Sequence, residues 1–154
     1  MPTDAADPGP TASEREALVR ELSLHAMQAL RAVQHEAQRA FEPLGLRPSQ
    51  VLVLDMIQRG LDQPKVLAAN LETVQSAVTA LLNELQALDL IDRTTDPDDR
   101  RRARLRVTDE GRRTLARAGE VWLAAAERWL TEVGLDDLRA TARVVRVLTS
   151  GTTA

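Results

Sequence analysis

Apolar residues recur at helical spacing through most of the chain, and the places where that spacing breaks mark out the elements. Leu18, Leu22, Ala26, Ala29, Leu30, Val33, Ala37 and Phe41 predict one long helix, started by a capping box of Ser13 and Glu16 and stopped by Pro43 and Gly45. A second helix is expected from Pro48, at a first-turn position, to Arg59, with Gly60 as its stop. Asp62 is positioned to cap a short third helix holding Val66, Leu67 and Leu71. A fourth follows from about Val74 to Leu88, where Val74, Ala77, Val78, Leu81, Leu82, Leu85 and Leu88 form a continuous stripe. Its other face, Gln75, Ser76, Thr79, Ala80 and Asn83, is small and polar.

Beyond residue 90 the period changes. Residues 90–94 form a short extended run, and Asp96-Pro97-Asp98-Asp99 is a turn signal. Ala103, Leu105 and Val107 then alternate with Arg102, Arg104 and Arg106, which predicts a two-stranded ribbon with one basic side. Thr108 can cap the next helix, whose first turn holds Asp109 and Glu110 where the helix dipole favours acids. That helix carries Leu115, Val121, Trp122, Ala125, Trp129 and Leu130 to a break at Gly134, and a last one runs from about 136 to 149 with Leu138, Val144, Val145, Val147 and Leu148. Residues 1–12, with three Pro and no large apolar side chain beyond Met1, are expected to be a disordered tail. The fold expected is mainly α: a winged helix-turn-helix over 46–108, flanked by dimerisation helices at 13–45 and 109–150, in one domain spanning 13–150. In such a unit one helix enters the major groove and the ribbon touches the flanking backbone or minor groove. The apolar stripes outside it need a partner, and a second copy suits the two-fold symmetry of a palindromic site.

Composition narrows the chemistry. The 154 residues suit one domain, and the absence of Cys excludes thiolate nucleophiles and Cys-based zinc sites. No stretch approaches the ~20 apolar residues of a membrane helix, and the N-terminal stretch lacks a basic and apolar leader, so a cytoplasmic protein without membrane partners is expected. The net charge of −3 conceals a concentration: RRRARLR at 100–106 holds five Arg and no acid. An acidic chain that reads DNA would need such an element. An isolated basic run also suits a solvated hairpin face. There is no glycine-rich phosphate cradle, metal-ligand cluster or catalytic triad, so neither an enzyme nor a cofactor is expected. His25 and His35, ten residues apart at about 100° each, fall on different helix faces and cannot share a metal.

LAANL at 67–71, AVTALLNEL at 77–85 and TDPDDRRRARLRVTDEG at 95–111 together resemble the MarR family of bacterial transcription regulators. The last stretch carries the more specific pattern: Asp, any residue, Arg, the strand residues, then Thr two positions before Glu-Gly. The resemblance implies that Asp99 pairs with Arg101 to hold the wing and that Arg100 and Arg101 reach a minor groove, whose negative potential draws guanidinium groups. It implies that Gln75, Ser76, Thr79, Ala80 and Asn83 face the major groove, where Ser and Thr can bond phosphate or base and Gln or Asn can read adenine. It implies a homodimer on double-stranded DNA with an inverted-repeat operator, and an effector pocket between the dimer helices and the winged unit. His25, Val51, Leu54, Asp55 and Trp122 are the candidates to line that pocket, for a small amphipathic or aromatic compound. His25 also suits a plain interface position, and Trp122 and Trp129 suit packing.

Residues 80 and 84, often Arg in relatives, are Ala80 and Glu84, and Asp89 replaces the usual Gly after the helix. From 73 to 89 there is no cation and there are two acids. Phosphate attraction is then expected to lean on Lys65, Arg47 and the wing at Arg100, Arg101, Arg102 and Arg104. Val74 stands where a capping residue is common, so Thr73 is expected to cap one residue early. Two readings follow. One is a ligand-responsive, homodimeric, DNA-binding repressor. The other is a ligand-binding or protein-interaction module that keeps the fold and has lost operator binding.

Overall fold

The computed structural model describes residues 12–95 and 103–150. The tip of the expected wing, with Asp99, Arg100, Arg101 and Arg102, lies outside the described residues, as does nearly all of the N-terminal tail. The chain forms two compact units, residues 1–48 and 49–154.

The first unit is dominated by α1 (Ala12–Phe41), a 30-residue helix and so ~45 Å long. Ala12 already belongs to it, so Ser13 lies inside the helix and does not cap it; Glu16 instead accepts a hydrogen bond from Arg20 at 2.9 Å. A 3-10 turn, Glu42–Leu44, follows. The chain then closes with Gly45 N–H to Glu42 O and Leu46 N–H to Phe41 O, Gly45 taking φ 68°. That pairing is the Schellman arrangement, which satisfies the last carbonyls of a helix through one left-handed residue. Phe41 and Leu46 are buried, whereas Leu18, Leu22, Met27 and Leu30 on the preceding turns are more than half exposed.

The second unit has helices α2 (Pro48–Gln58), α3 (Pro64–Asn70), α4 (Gln75–Ala87), strands β1 (Ile91–Thr95) and β2 (Ala103–Val107), and helices α5 (Asp109–Trp129) and α6 (Leu135–Ser150). Its core joins Val53, Leu54 and Ile57 of α2, Leu67 of α3, Val78, Leu82 and Leu85 of α4, Ile91 of β1 and Leu105 of β2. The helical stripe read on α4 is buried only at its centre: Val74 and Leu88, at its two ends, are exposed. The strands pair antiparallel with Ile91 opposite Val107 and Arg93 opposite Leu105, so β1 starts one residue later than expected. Helix ends recur as the same motif. Gly60, Glu72 and Asp89 all have positive φ, and in each case the following N–H reaches five residues back, as in Leu61 to Met56, Thr73 to Ala68 and Leu90 to Leu85.

Two expected caps are replaced. The N-cap of α3 is Gln63 and that of α4 is Val74, neither with a side-chain bond. Asp62 is drawn away by β2, whose Leu105 N–H donates to the Asp62 carbonyl and whose Arg104 Nη1 lies 2.7 Å from its carboxylate. Thr73 is held one residue too early by its own bond to Ala68. The cap of α5 forms as read. Thr108 Oγ1 accepts from Gly111 N–H at 2.9 Å and donates to the Asp89 carbonyl at 2.7 Å. A Cβ on Gly111 would fall 2.1 Å from the Leu90 carbonyl oxygen, so only glycine allows this approach.

Among the described residues no helix is long and apolar enough to cross a membrane. Among the residues of α6 whose burial is described, 135–149, none is buried, and Val145, Val147 and Leu148 are at least half exposed.

Two predictions follow from these junctions. Gly111→Ala should destabilise the protein by about 1–3 kcal/mol or more in urea unfolding, because backbone has to move. Asp89→Gly should do the reverse by about 1 kcal/mol, since it removes the cost of a side chain in the left-handed region. An Asp89→Gly protein no more stable than the parent would show that the turn is not strained.

Candidate nucleic-acid interface

Helices α3 and α4 are joined by residues 71–74, where Glu72 adopts φ 47° and turns the chain sharply enough for α4 to pack on α3. Val78, Leu82 and Leu85 fix the inner face of α4. Residues three and four apart share a helix face, so positions off that stripe turn outward, and Gln75, Ser76, Thr79, Ala80 and Asn83 are all exposed. All but Ala80 carry side-chain donors and acceptors, and none carries charge. Thr79 Oγ1 donates to the Gln75 carbonyl at 2.9 Å, leaving its oxygen lone pairs as acceptors for an incoming group. Glu84 is turned away from this face: Gln50, buried on α2, donates to its carboxylate at 3.0 Å and links α2 to α4.

The ribbon supplies the cations. Strand alternation places Leu105 and Val107 in the core and exposes Arg104 and Arg106. Arg104 is engaged with Asp62, a pair that straps β2 to the loop between α2 and α3. It thus braces the ribbon in addition to adding charge. Lys65 is exposed in the first turn of α3. Arg93, which no periodicity in the sequence singles out, reaches from β1 to α4 and donates from Nη2 to Asn83 Oδ1 at 2.9 Å. The signal that could have found it is parity: Arg93 shares a strand face with buried Ile91, so it points toward α4.

The effector candidates are not alike. Leu54 is wholly buried in the core with Val53 and Ile57 and offers no exposed surface to a ligand, because α2 presents three of its apolar residues inward within two turns. Asp55 is half-buried and accepts from Arg59 Nε at 2.7 Å. Val51 and Trp122 are half-buried. His25 belongs to the first unit, where it shares an open surface depression on α1 with Leu18, Glu21 and Leu22. At the start of α5 the hydrogen bonds and charge of Arg113 hold the exposed Glu110 carboxyl below the ordinary carboxylate range.

This geometry has counterparts. The sequence pattern of the MarR family matches residues 44–102. The HTH-type transcriptional repressor MdtR of Bacillus subtilis (strain 168) is 32% identical over 95 residues, which are 61% of this chain and 61% of that protein. The chain thus spans about three fifths of that relative's length. Among solved structures, the transcriptional repressor CouR bound to a 23-mer DNA duplex is 28% identical, with a TM-score of 0.75 over 86% of this chain and 94% of that one. CouR from Rhodococcus jostii RHA1 bound to p-coumaroyl-CoA is 27% identical, with a TM-score of 0.73 over 88% and 94%. The matched pattern covers the helix-turn-helix and the first strand of the ribbon, and the structural likeness takes in most of the chain: in both comparisons what the chain is similar to is the MarR family.

Proposed function

We propose that the chain is a sequence-specific DNA-binding transcriptional regulator, a homodimeric repressor whose affinity for an inverted-repeat operator responds to a small ligand. The observation that carries this reading is the exposed polar face of α4 beside a basic ribbon, in a fold shared with a repressor solved on DNA. In it, Gln75, Ser76, Thr79 and Asn83 meet base edges in the major groove, and Lys65 meets phosphate. Arg100 and Arg101 enter the adjacent minor groove, with Asp99 holding Arg101, and Arg102 and Arg104 add to the wing's attraction for phosphate. Every step is binding, so the reading needs no catalytic residue, cofactor or metal.

The exposed apolar faces of α1 and α6 supply the dimer. Exposed apolar stripes of this extent on a protein that stays in solution call for a partner surface, and two-fold pairing places two recognition helices on successive major grooves. A ligand acts by preferring one spacing of those helices over another. Val51 and Asp55 of α2, Trp122 of α5 and His25 of α1 are the candidate effector-binding residues. CouR, solved with an aromatic thioester, supports a compound with aromatic and polar parts.

The weight of the wing can be measured. Arg101→Ala should weaken binding to operator and non-operator duplexes alike, and lower the slope of log affinity against log salt by about one unit. Gln75→Ala or Thr79→Ala should instead cost about 1–3 kcal/mol of discrimination at the bases read, with the slope little changed. Unaltered affinity and slope in Arg101→Ala would remove the wing from the interface.

Leu148→Asp should convert the dimer to monomer in sedimentation at micromolar concentration, since pairing would bury an unpartnered carboxylate at a cost of several kcal/mol. A dimer of undiminished strength would place the interface elsewhere.

A further inference from the structure

The reading face of α4 has no cation of its own, yet a guanidinium stands on it. Asn83 lies on the same face as Gln75, Ser76 and Thr79, at spacings of eight, seven and four residues. Arg93 arrives there from β1 because Ile91, two residues earlier on the same strand face, is locked in the core at 1% exposure. The contact fixes chemistry as well as place. Arginine has only donors, so the amide of Asn83 must turn its oxygen toward Arg93 and its NH2 outward. Adenine recognition by asparagine needs both ends of the amide, the oxygen accepting from N6 and the nitrogen donating to N7. With one lone pair of that oxygen taken and a guanidinium lying against it, Asn83 would have to share the oxygen with Arg93 to make that pairing. What the pair presents outward is chiefly donors: the Asn83 NH2 and the remaining N–H groups of Arg93, both residues being exposed.

We propose that Arg93 is a DNA-contacting residue that acts as a unit with Asn83, forming a donor-rich, cationic end to the recognition helix that selects acceptor atoms on DNA. This rests on the DNA-binding reading above. The acceptors available in the groove are the O6 and N7 of guanine and the phosphate oxygens at its rim. The unit supplies from the wing strand the positive charge that α4 lacks, and it moves the expected preference of Asn83 from adenine to guanine or phosphate.

The test is selection of duplexes from a randomised library by the full-length protein, followed by salt titration of the affinity for the selected sequence and for a random duplex. Wild type, Arg93→Ala, Arg93→Lys, Asn83→Ala and Arg101→Ala are compared. Arg93→Ala is expected to weaken operator binding about tenfold. A guanine contact would show as loss of a guanine preference in each half-site, in Arg93→Ala and Asn83→Ala alike. A phosphate contact would show as a salt slope lower by about one unit in Arg93→Ala and restored in Arg93→Lys. Either result supports the proposal, and Arg93→Lys and Asn83→Ala carry it if Arg93→Ala fails to fold. If Arg93→Ala keeps wild-type affinity, slope and selected sequence while Arg101→Ala loses affinity, Arg93 only ties the ribbon to α4 and the proposal is overturned. If the wild type retains no duplex at all, the DNA-binding reading itself fails, and this proposal with it.

Discussion

The approach of α5 to the end of α4 holds the winged unit together. Within a few residues the Leu90 carbonyl accepts from Thr108 N–H and lies against the bare Cα of Gly111, while the Thr108 hydroxyl bonds both Asp89 and Gly111. Three elements are pinned at that point: the recognition helix by its last turn, the ribbon by the base of both strands, and α5 by its cap. Each bond replaces one that water would otherwise make with a helix end, and buried ends left unsatisfied would cost about 1–3 kcal/mol apiece. The angle at which α4 leaves the core and the direction in which the ribbon projects are set together here. No other residue fits the place of Gly111 without shifting Leu90.

Charge is distributed around that frame in an unusual way. The recognition helix is polar and uncharged on its outer face, and its one inward-leaning acid, Glu84, is tied to Gln50. Positive charge comes from the ribbon instead, in two forms. Some of it is structural, as where Arg104 meets Asp62, and some is brought back onto α4 by Arg93. In the proposed DNA-binding role such a division would separate attraction from reading, strand residues providing the long-range pull toward phosphate and helix residues the donors and acceptors for bases.

Much of this was legible in the sequence, for physical reasons. Helical and strand periods are set by burial, so the stripe of α4, the alternation of β2 and the order of elements could be read directly. The Thr108 cap was legible because a capping hydroxyl stands directly before two first-turn acids, whereas the need for glycine at 111 shows only in the closeness of the Leu90 carbonyl. The failures share a cause. Ser13, Asp62 and Thr73 are all good capping residues by type, yet capping depends on where the backbone turns, and neighbouring bonds decided that: Asp62 was claimed by β2 and Thr73 by α3. Leu54 was expected to line a pocket but lies in the core, because the helical period alone does not tell a pocket wall from a packed interior. Arg93 escaped notice since a single cation on a short strand carries no pattern, and only the parity with Ile91 reveals its side.

The most direct test of the account is a hydroxyl-radical footprint of the wild-type protein on a duplex selected from a randomised library at low salt. A two-fold dimer that reads with α4 and grips with the ribbon should protect two patches whose centres lie about one helical turn, ~10 bp, apart on an inverted repeat, with added protection in the minor groove outside each half-site. A single unsymmetrical patch, or no duplex retained above background, would contradict it.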